Sequence, residues 1–181
     1  MAGVLAAFGL AAATGLNAYL PLLIVGLLAR YTDLIALKAP WSALSHPAVL
    51  IVLGVLLAIE ITVDKIPAVD TVNDIIQTLF RPAAGAILFA ASGNVISDLS
   101  PVLAMVCGLI IAGGVHTAKT VARPIVTAGT AGTGNPVVSL GEDAVSGTTT
   151  VLAVAAPAVL AALILLGAVW LFRRWQRRTR P

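Results

Sequence analysis

One cysteine, two histidines and nine aromatic residues (three Trp, two Tyr, four Phe) among 181 positions leave little room for several kinds of chemistry. A lone Cys107 excludes an intramolecular disulfide and a thiolate cluster. It lies in an apolar run, where free cysteine packs as a small hydrophobe. His46 and His116 stand on separate segments, so neither a shared metal site nor any other cofactor is expected. Charge is scarcer still. Only 10% of the residues are charged, against about 25% in soluble domains. The apolar share is 59% and the mean hydropathy +1.02. These values exclude a soluble globular enzyme, a disordered chain and a nucleic-acid-binding domain with a basic face. Enzyme signatures are missing too: there is no H-E-x-x-H, no G-x-S-x-G and no cysteine–histidine pair in a nucleophile context. The glycine-rich stretch 129–135 lacks the Lys-Ser/Thr of a phosphate loop. No catalytic residue and no enzymatic activity are expected.

The little charge that is present is unevenly placed. Arg173, Arg174, Arg177, Arg178 and Arg180 supply five of the eleven basic residues. Without them, six basic residues face eight acidic ones. The chain therefore reads as one transmembrane domain, 1–172, with a polybasic cytoplasmic tail, 173–181. Residues 1–29 carry no charge, and their apolar stretch outruns a signal-peptide core, so they are expected to remain as a membrane segment.

A spanning helix needs about 20 mostly apolar residues. Hydropathy predicts spans over 3–29, interrupted at Thr14-Gly15-Leu16-Asn17 and at Pro21, and over 47–64, opened by Pro47. Residues 66–80 alternate apolar and polar positions with helical spacing, an amphipathic helix. Residues 82–116 are too long for one straight span and divide into pieces near 83–96 and 101–118. The Gly-, Ser- and Thr-rich stretch 129–147 reads as a loop, re-entrant if its apolar residues are used. The last span covers 148–172. The expected fold is all-α: a polytopic transmembrane bundle with about four main spans and broken or re-entrant segments. A pseudo-two-fold repeat is suggested by Ala13-Thr14-Gly15, Asn17, Pro21, Gly26 beside Ala91-Ser92-Gly93, Asn94, Pro101, Gly108, with halves at 1–81 and 82–172. Arg81-Pro82 and Arg123-Pro124 form a second echo. Inverted repeats with broken helices at matching positions are a transporter device. With N- and C-termini both inside, seven basic residues fall on the cytoplasmic side and four outside.

Ionisable residues in a bilayer are expensive, so they mark candidate sites. Glu60 and Asp64 are four apart and share a helix face, as do Asp70 and Asp74, and Lys119 and Arg123. At about 1.5 Å per residue, Glu60 lies about 20 Å along a helix begun at Pro47 and Asp64 about 26 Å. Glu60 is thus inside a core about 30 Å thick and Asp64 near its edge. Carboxylates in a semi-enclosed wet site can take up a proton or coordinate a cation. Lys119 and Arg123 would neutralise those carboxylates or bind an anion. Asn17 and Asn94 lie at the helix breaks, where free backbone groups attract ions. The structural alternative is that the charges mark helix ends and the polar residues bond helix to helix.

Several stretches together carry a family resemblance. They are Glu60-Ile-Thr-Val-Asp-Lys-Ile-Pro-Ala-Val-Asp-Thr-Val-Asn-Asp74, Ala13-Thr-Gly-Leu-Asn-Ala-Tyr-Leu-Pro21, Arg81-Pro-Ala-Ala-Gly85 and Gly134-Asn-Pro-Val-Val-Ser-Leu-Gly-Glu-Asp143. Over about residues 5–170 the chain resembles a family of small bacterial integral membrane proteins catalogued as a domain of unknown function, number 4126. The resemblance implies a bacterial inner-membrane setting and brings no activity, cofactor or catalytic residue with it.

The expected function is a small secondary transporter or channel for an ion or small anionic substrate. It would use Glu60, Asp64, Asp70, Asp74, Lys119, Arg123, Asn17 and Asn94. The alternative is a non-transporting scaffold or assembly partner. The expected partners are the lipid bilayer, an unknown ion or small anion and, given the small size, a second copy of the chain in a homodimer. No nucleic acid is expected.

Overall fold

The structure, a computed structural model, describes residues 2–63, 67–92 and 100–179; within those ranges the side chains at 2, 67–72, 74, 171, 178 and 179 lie outside the description. The chain is all-helical. Among the described residues there are seven α-helices and no strand. They are α1 Ala2–Leu16, α2 Tyr19–Tyr31, α3 Pro47–Val63, α4 Pro67–Ala91, α5 Pro101–Thr130, α6 Asn135–Ala155 and α7 Pro157–Thr179. A short 3-10 turn, Trp41–Ser45, precedes α3. Two helices, Pro101–Thr130 and Pro157–Arg177, are long and apolar enough to cross a membrane. Shorter apolar helices cover Gly3–Leu16, Tyr19–Tyr31, Pro47–Val63 and Ile75–Ala91.

The predicted first span is a hairpin. The chain breaks at Asn17, as the sequence indicates, but it then reverses. On α6, Asp143 meets Asn17, just past the end of α1, and Ser146 and Ala153 meet Ala13 and Gly9 of α1, so these two helices are antiparallel. Leu20 of α2 meets Gly147, and Val25 shares a cavity with Val154, so α2 runs parallel to α6. The open end of the hairpin, between Gly3, Ala6 and Leu10 on one arm and Val25 on the other, holds a half-open apolar cavity of about 250 Å³ closed over by Leu34–Leu37. Its tip is buried: Thr14, Asn17 and Ala18 are all at most 1% exposed. At about 1.5 Å per residue the arms are about 22 and 20 Å long, shorter than a bilayer core.

Four further boundaries differ from expectation. The amphipathic segment continues through Pro82, so α4 is one helix and the 81/82 half-boundary falls inside it. Buried Ala84, Ala86 and Leu88 supply packing beyond the proline that outweighs the lost backbone bond. Likewise α5 does not stop near residue 118. It opens on Ser100, whose side chain accepts from the Leu103 N–H, and runs to Thr130, through Pro124. Residues 135–147, read as loop, form the first half of α6. Pro136 occupies its first turn. Ser139 and Ser146 are buried, and the small residues of this segment let α6 approach α1 closely. The predicted last span is broken, because Pro157 has no N–H to offer and α6 ends at Ala155.

Tight contact between α1, α4 and α5 fixes the core. A Cβ on Gly108 would collide with the Gly85 carbonyl oxygen. One on Gly85 would stand 2.7 Å from the Gly108 carbonyl oxygen and 2.9 Å from Thr14 Oγ1, and one on Gly15 2.6 Å from the Ala112 carbonyl oxygen. Ala104, Gly108 and Ala112 form a small-residue stripe on α5 at four-residue spacing. By contrast, a side chain at Gly54 would meet nothing within 4 Å. Gly108→Val should therefore destabilise the purified protein by about 1–3 kcal/mol or more, the cost of overpacking. Gly54→Val should leave the thermal midpoint close to that of the parent.

Candidate functional site

Two charged clusters lie in the middle of the bundle, and α5 contributes to both. In the first, Arg81 of α4 is fully buried and its Nη2 donates to Glu60 Oε1 of α3 at 3.1 Å. Its Nη1 lies 3.0 Å from His116 Nδ1 on α5. His116 Nε2 lies 3.1 Å from Thr78 Oγ1. Glu60 is 1% exposed and His116 3%. Gln77, one turn before Arg81, is also buried.

The second cluster joins α5 to α6 and to the hairpin. Lys119 Nζ lies 2.9 Å from Glu142 Oε2, and Arg123 Nη2 reaches the same oxygen at 2.8 Å. Lys119 also donates to the Leu16 carbonyl at 3.2 Å. Leu16 ends α1, where free carbonyls carry partial negative charge, so an ammonium is favoured there. Asn17 completes the tip. Its Oδ1 accepts from the Tyr19 and Leu20 N–H groups at 3.1 and 2.8 Å, capping α2. Its Nδ2 donates to Asp143 Oδ1 at 2.9 Å. Ser146 Oγ donates to the Ala13 carbonyl at 2.9 Å. Farther along, Thr127 Oγ1 donates to Asn135 Oδ1 at 3.0 Å.

Spacing along α5 explains how one helix serves both clusters. His116, Lys119 and Arg123 stand at i, i+3 and i+7 and share one face. Each buried arginine precedes a proline within its helix: Arg81-Pro82 in α4 and Arg123-Pro124 in α5. Each proline also follows a threonine by four, leaving the Thr78 and Thr120 carbonyls without that helical bond. Both arginines meet a glutamate from a neighbouring helix.

Four of the eight residues singled out by sequence are seen in these clusters: Glu60, Lys119, Arg123 and Asn17. Asp64 and Asn94 lie outside the described residues. Asp70 and Asp74 are on α4, and their side chains are likewise outside the description. The expected pairing is different in detail. Glu60 is held by Arg81, while Lys119 and Arg123 converge on Glu142. Lys119 and Arg123 do not mark a helix end, because α5 runs on to Thr130; each is 6% exposed. Sequence reasoning did not select Arg81, His116, Glu142 and Asp143. Arg81 looked like the polar face of a surface helix, and Glu142-Asp143 stood in a segment whose glycines and serines suggested a loop. The Thr-x-x-Arg-Pro motif shared by 78–82 and 120–124 is the signal that marks the two arginines as equivalent.

An all-helical bundle that buries Glu60, Arg81, His116, Lys119 and Arg123 and exposes many of its large apolar side chains defines the class of this protein. The chain belongs to the family described as Domain of unknown function (DUF4126), whose model matches residues 4–178. No curated protein and no solved structure matches it.

Removing one partner of a buried ion pair costs about 3–5 kcal/mol, while replacing both partners is far milder. Arg81→Met alone should therefore lower stability by about that amount. The double variant Glu60→Gln/Arg81→Met should recover much of the loss. Unfolding in mixed micelles, arranged as a double-mutant cycle, measures the difference.

Proposed function

We propose that this chain is a multi-pass membrane protein of the bacterial inner membrane that moves a proton, another ion or a small anionic solute through its charged interior. The observation that carries the reading is the reversal of the usual distribution of polarity. Glu60, Arg81, His116, Lys119 and Arg123 are buried, while Ile51, Ile110, Val121, Ile125 and Leu165 are 64–73% exposed. Water would penalise that exterior; hydrocarbon would not. In a bilayer, ionisable residues turn inward and line the functional path.

In this reading α1–α2 is a re-entrant hairpin, and α3 to α7 cross the membrane. Irregular backbone at membrane depth is tolerated when it is buried in protein, and the tip at Asn17 meets that condition. Glu60 would carry the coupling charge together with Asp64, Asp70 and Asp74. Lys119 and Arg123 would be the exchangeable counter-charges of the path, with Asn17 at the hairpin tip and Asn94 as polar contacts. The Thr-x-x-Arg-Pro pair supports a remnant of internal repetition. A homodimer would supply further wall to the path.

The orientation we propose departs from both termini inside. A hairpin that does not cross leaves the N-terminus and the loop 32–46 on one face. Five crossings then bring the arginine tail to the opposite face. The positive-inside rule makes that face cytoplasmic and the N-terminus external. In a Cys107→Ala background, a cysteine at Lys38 should react with an impermeant maleimide in spheroplasts and one at Arg177 should not; the reverse pattern would contradict this orientation.

A second reading, a non-transporting scaffold or assembly partner, is favoured by the internal pairing at the hairpin tip. Proteoliposomes decide between them. The first reading expects protein-dependent ion or proton flux that falls to the level of empty vesicles in Glu60→Gln and Asp64→Asn. Flux unchanged in both variants removes those carboxylates from the path. No flux for any ion, with stable co-purification of one membrane partner, supports the scaffold.

A further inference from the structure

We infer that His116 is a proton-binding site that controls how Arg81 is held, and that its neutral state carries the proton on Nε2. A guanidinium has five N–H donors and no acceptor. Arg81 Nη1 is 3.0 Å from His116 Nδ1, so Nδ1 must present its lone pair. The ring proton is therefore on Nε2, which donates to Thr78 Oγ1 at 3.1 Å. Geometry alone thus selects one of the two neutral tautomers.

A second proton has one place to go. It binds the Nδ1 lone pair, turning imidazole into imidazolium and raising the charge of the Glu60–Arg81–His116 group by one. Nδ1 becomes a donor facing the Arg81 donor, with two cations at hydrogen-bond distance in a water-poor interior. The two must separate. Arg81 retains Glu60 Oε1 on its other nitrogen, Nη2, so the guanidinium can swing about that contact. The backbone is weakest at the same turn. Pro82 gives no N–H to the Thr78 carbonyl, and Thr78 and Arg81, which both touch His116, lie in the turn of that missing bond. Proton uptake by His116 therefore bears on a bend in α4.

The charged surroundings are explicit. From α4 and α3 come Arg81 and Glu60; from the hairpin tip comes Tyr19, next to Gln77. On α5 itself, Lys119 follows one turn later, bound to Glu142 of α6. Asp74 and Asp70 precede Thr78 by one and two turns of α4. The inference goes beyond the ion-moving reading and does not depend on it, because a scaffold with this cluster would bind the proton in the same way.

The test is solid-state NMR of the full chain in lipid bilayers, with 15N-histidine and 13C-arginine labelling. His46, exposed in the loop before α3, is the other histidine, and His46→Gln assigns the two signals. The expected result at neutral pH is a neutral His116 protonated on Nε2, with dipolar contact between Nδ1 and an arginine Cζ. On acidification His116 becomes imidazolium and that contact disappears. Nδ1 protonation at neutral pH would overturn the inference. So would an imidazolium that keeps its arginine contact, or a ring that stays neutral until the protein unfolds. Flux is not read in this experiment, so its failure and the failure of the transport reading are distinguishable.

Discussion

A guanidinium removed from water has to find its acceptors in protein, and Arg81 is fully buried. It meets a carboxylate from α3 and an imidazole from α5, and it can do so only if α4 lies between them at one rotation and one depth. The same demand recurs one turn farther along α5, where Lys119 and Arg123 fix α6 through a single glutamate oxygen. A charge left unpaired in such an interior costs several kcal/mol. Any slip in register would strand at least one of these groups. Specification of a single arrangement follows from that penalty more than from net stabilisation by the pairs themselves.

Small residues make the demand physically possible. Charged side chains reach each other only because the backbones come close, and Gly15, Gly85 and Gly108 remove the side-chain atoms that would hold α1, α4 and α5 apart. Apolar burial supports the contact at one end of the bundle, where Phe8 meets Phe89 edge-on at 5.3 Å between centroids. At the other end polar bonds take over, with Asn17 capping α2 and tying the hairpin to α6. The hairpin depends on the second end. Without Asp143 and Ser146 to receive it, the break at Asn17 would be an ordinary kink.

That dependence explains what could be seen in the sequence. Helical class, the break at Asn17 and the starts at Pro47 and Pro101 follow from local chemistry, and all are visible in hydropathy and proline placement. Glu60, Lys119 and Arg123 stand out because charge is rare in apolar runs. The reversal of the chain at Asn17 was not legible, since a kink and a hairpin share the same local residues and only contacts some 130 positions away choose between them. The α6 segment was misread because glycine, serine and threonine favour loops in water. Against another helix in an apolar setting they permit close packing. The partner of Glu60 was missed for a related reason. Arg81 sits beside Pro82, which looked like a helix boundary, and a boundary residue is expected to reach solvent.

The central claim of the proposed function is that hydrocarbon covers the outside of this bundle while Glu60, Arg81, His116, Lys119 and Arg123 are sealed within. Photolabelling from an apolar carbene-generating lipid tests it most directly, with modified residues mapped by peptide sequencing in intact bilayers. The account predicts label at Ile51, Ile110, Val121, Ile125 and Leu165, and none at Glu60, Arg81, His116 or Lys119. Absence of label from those outer faces, or equal labelling of faces and charged interior, would contradict it.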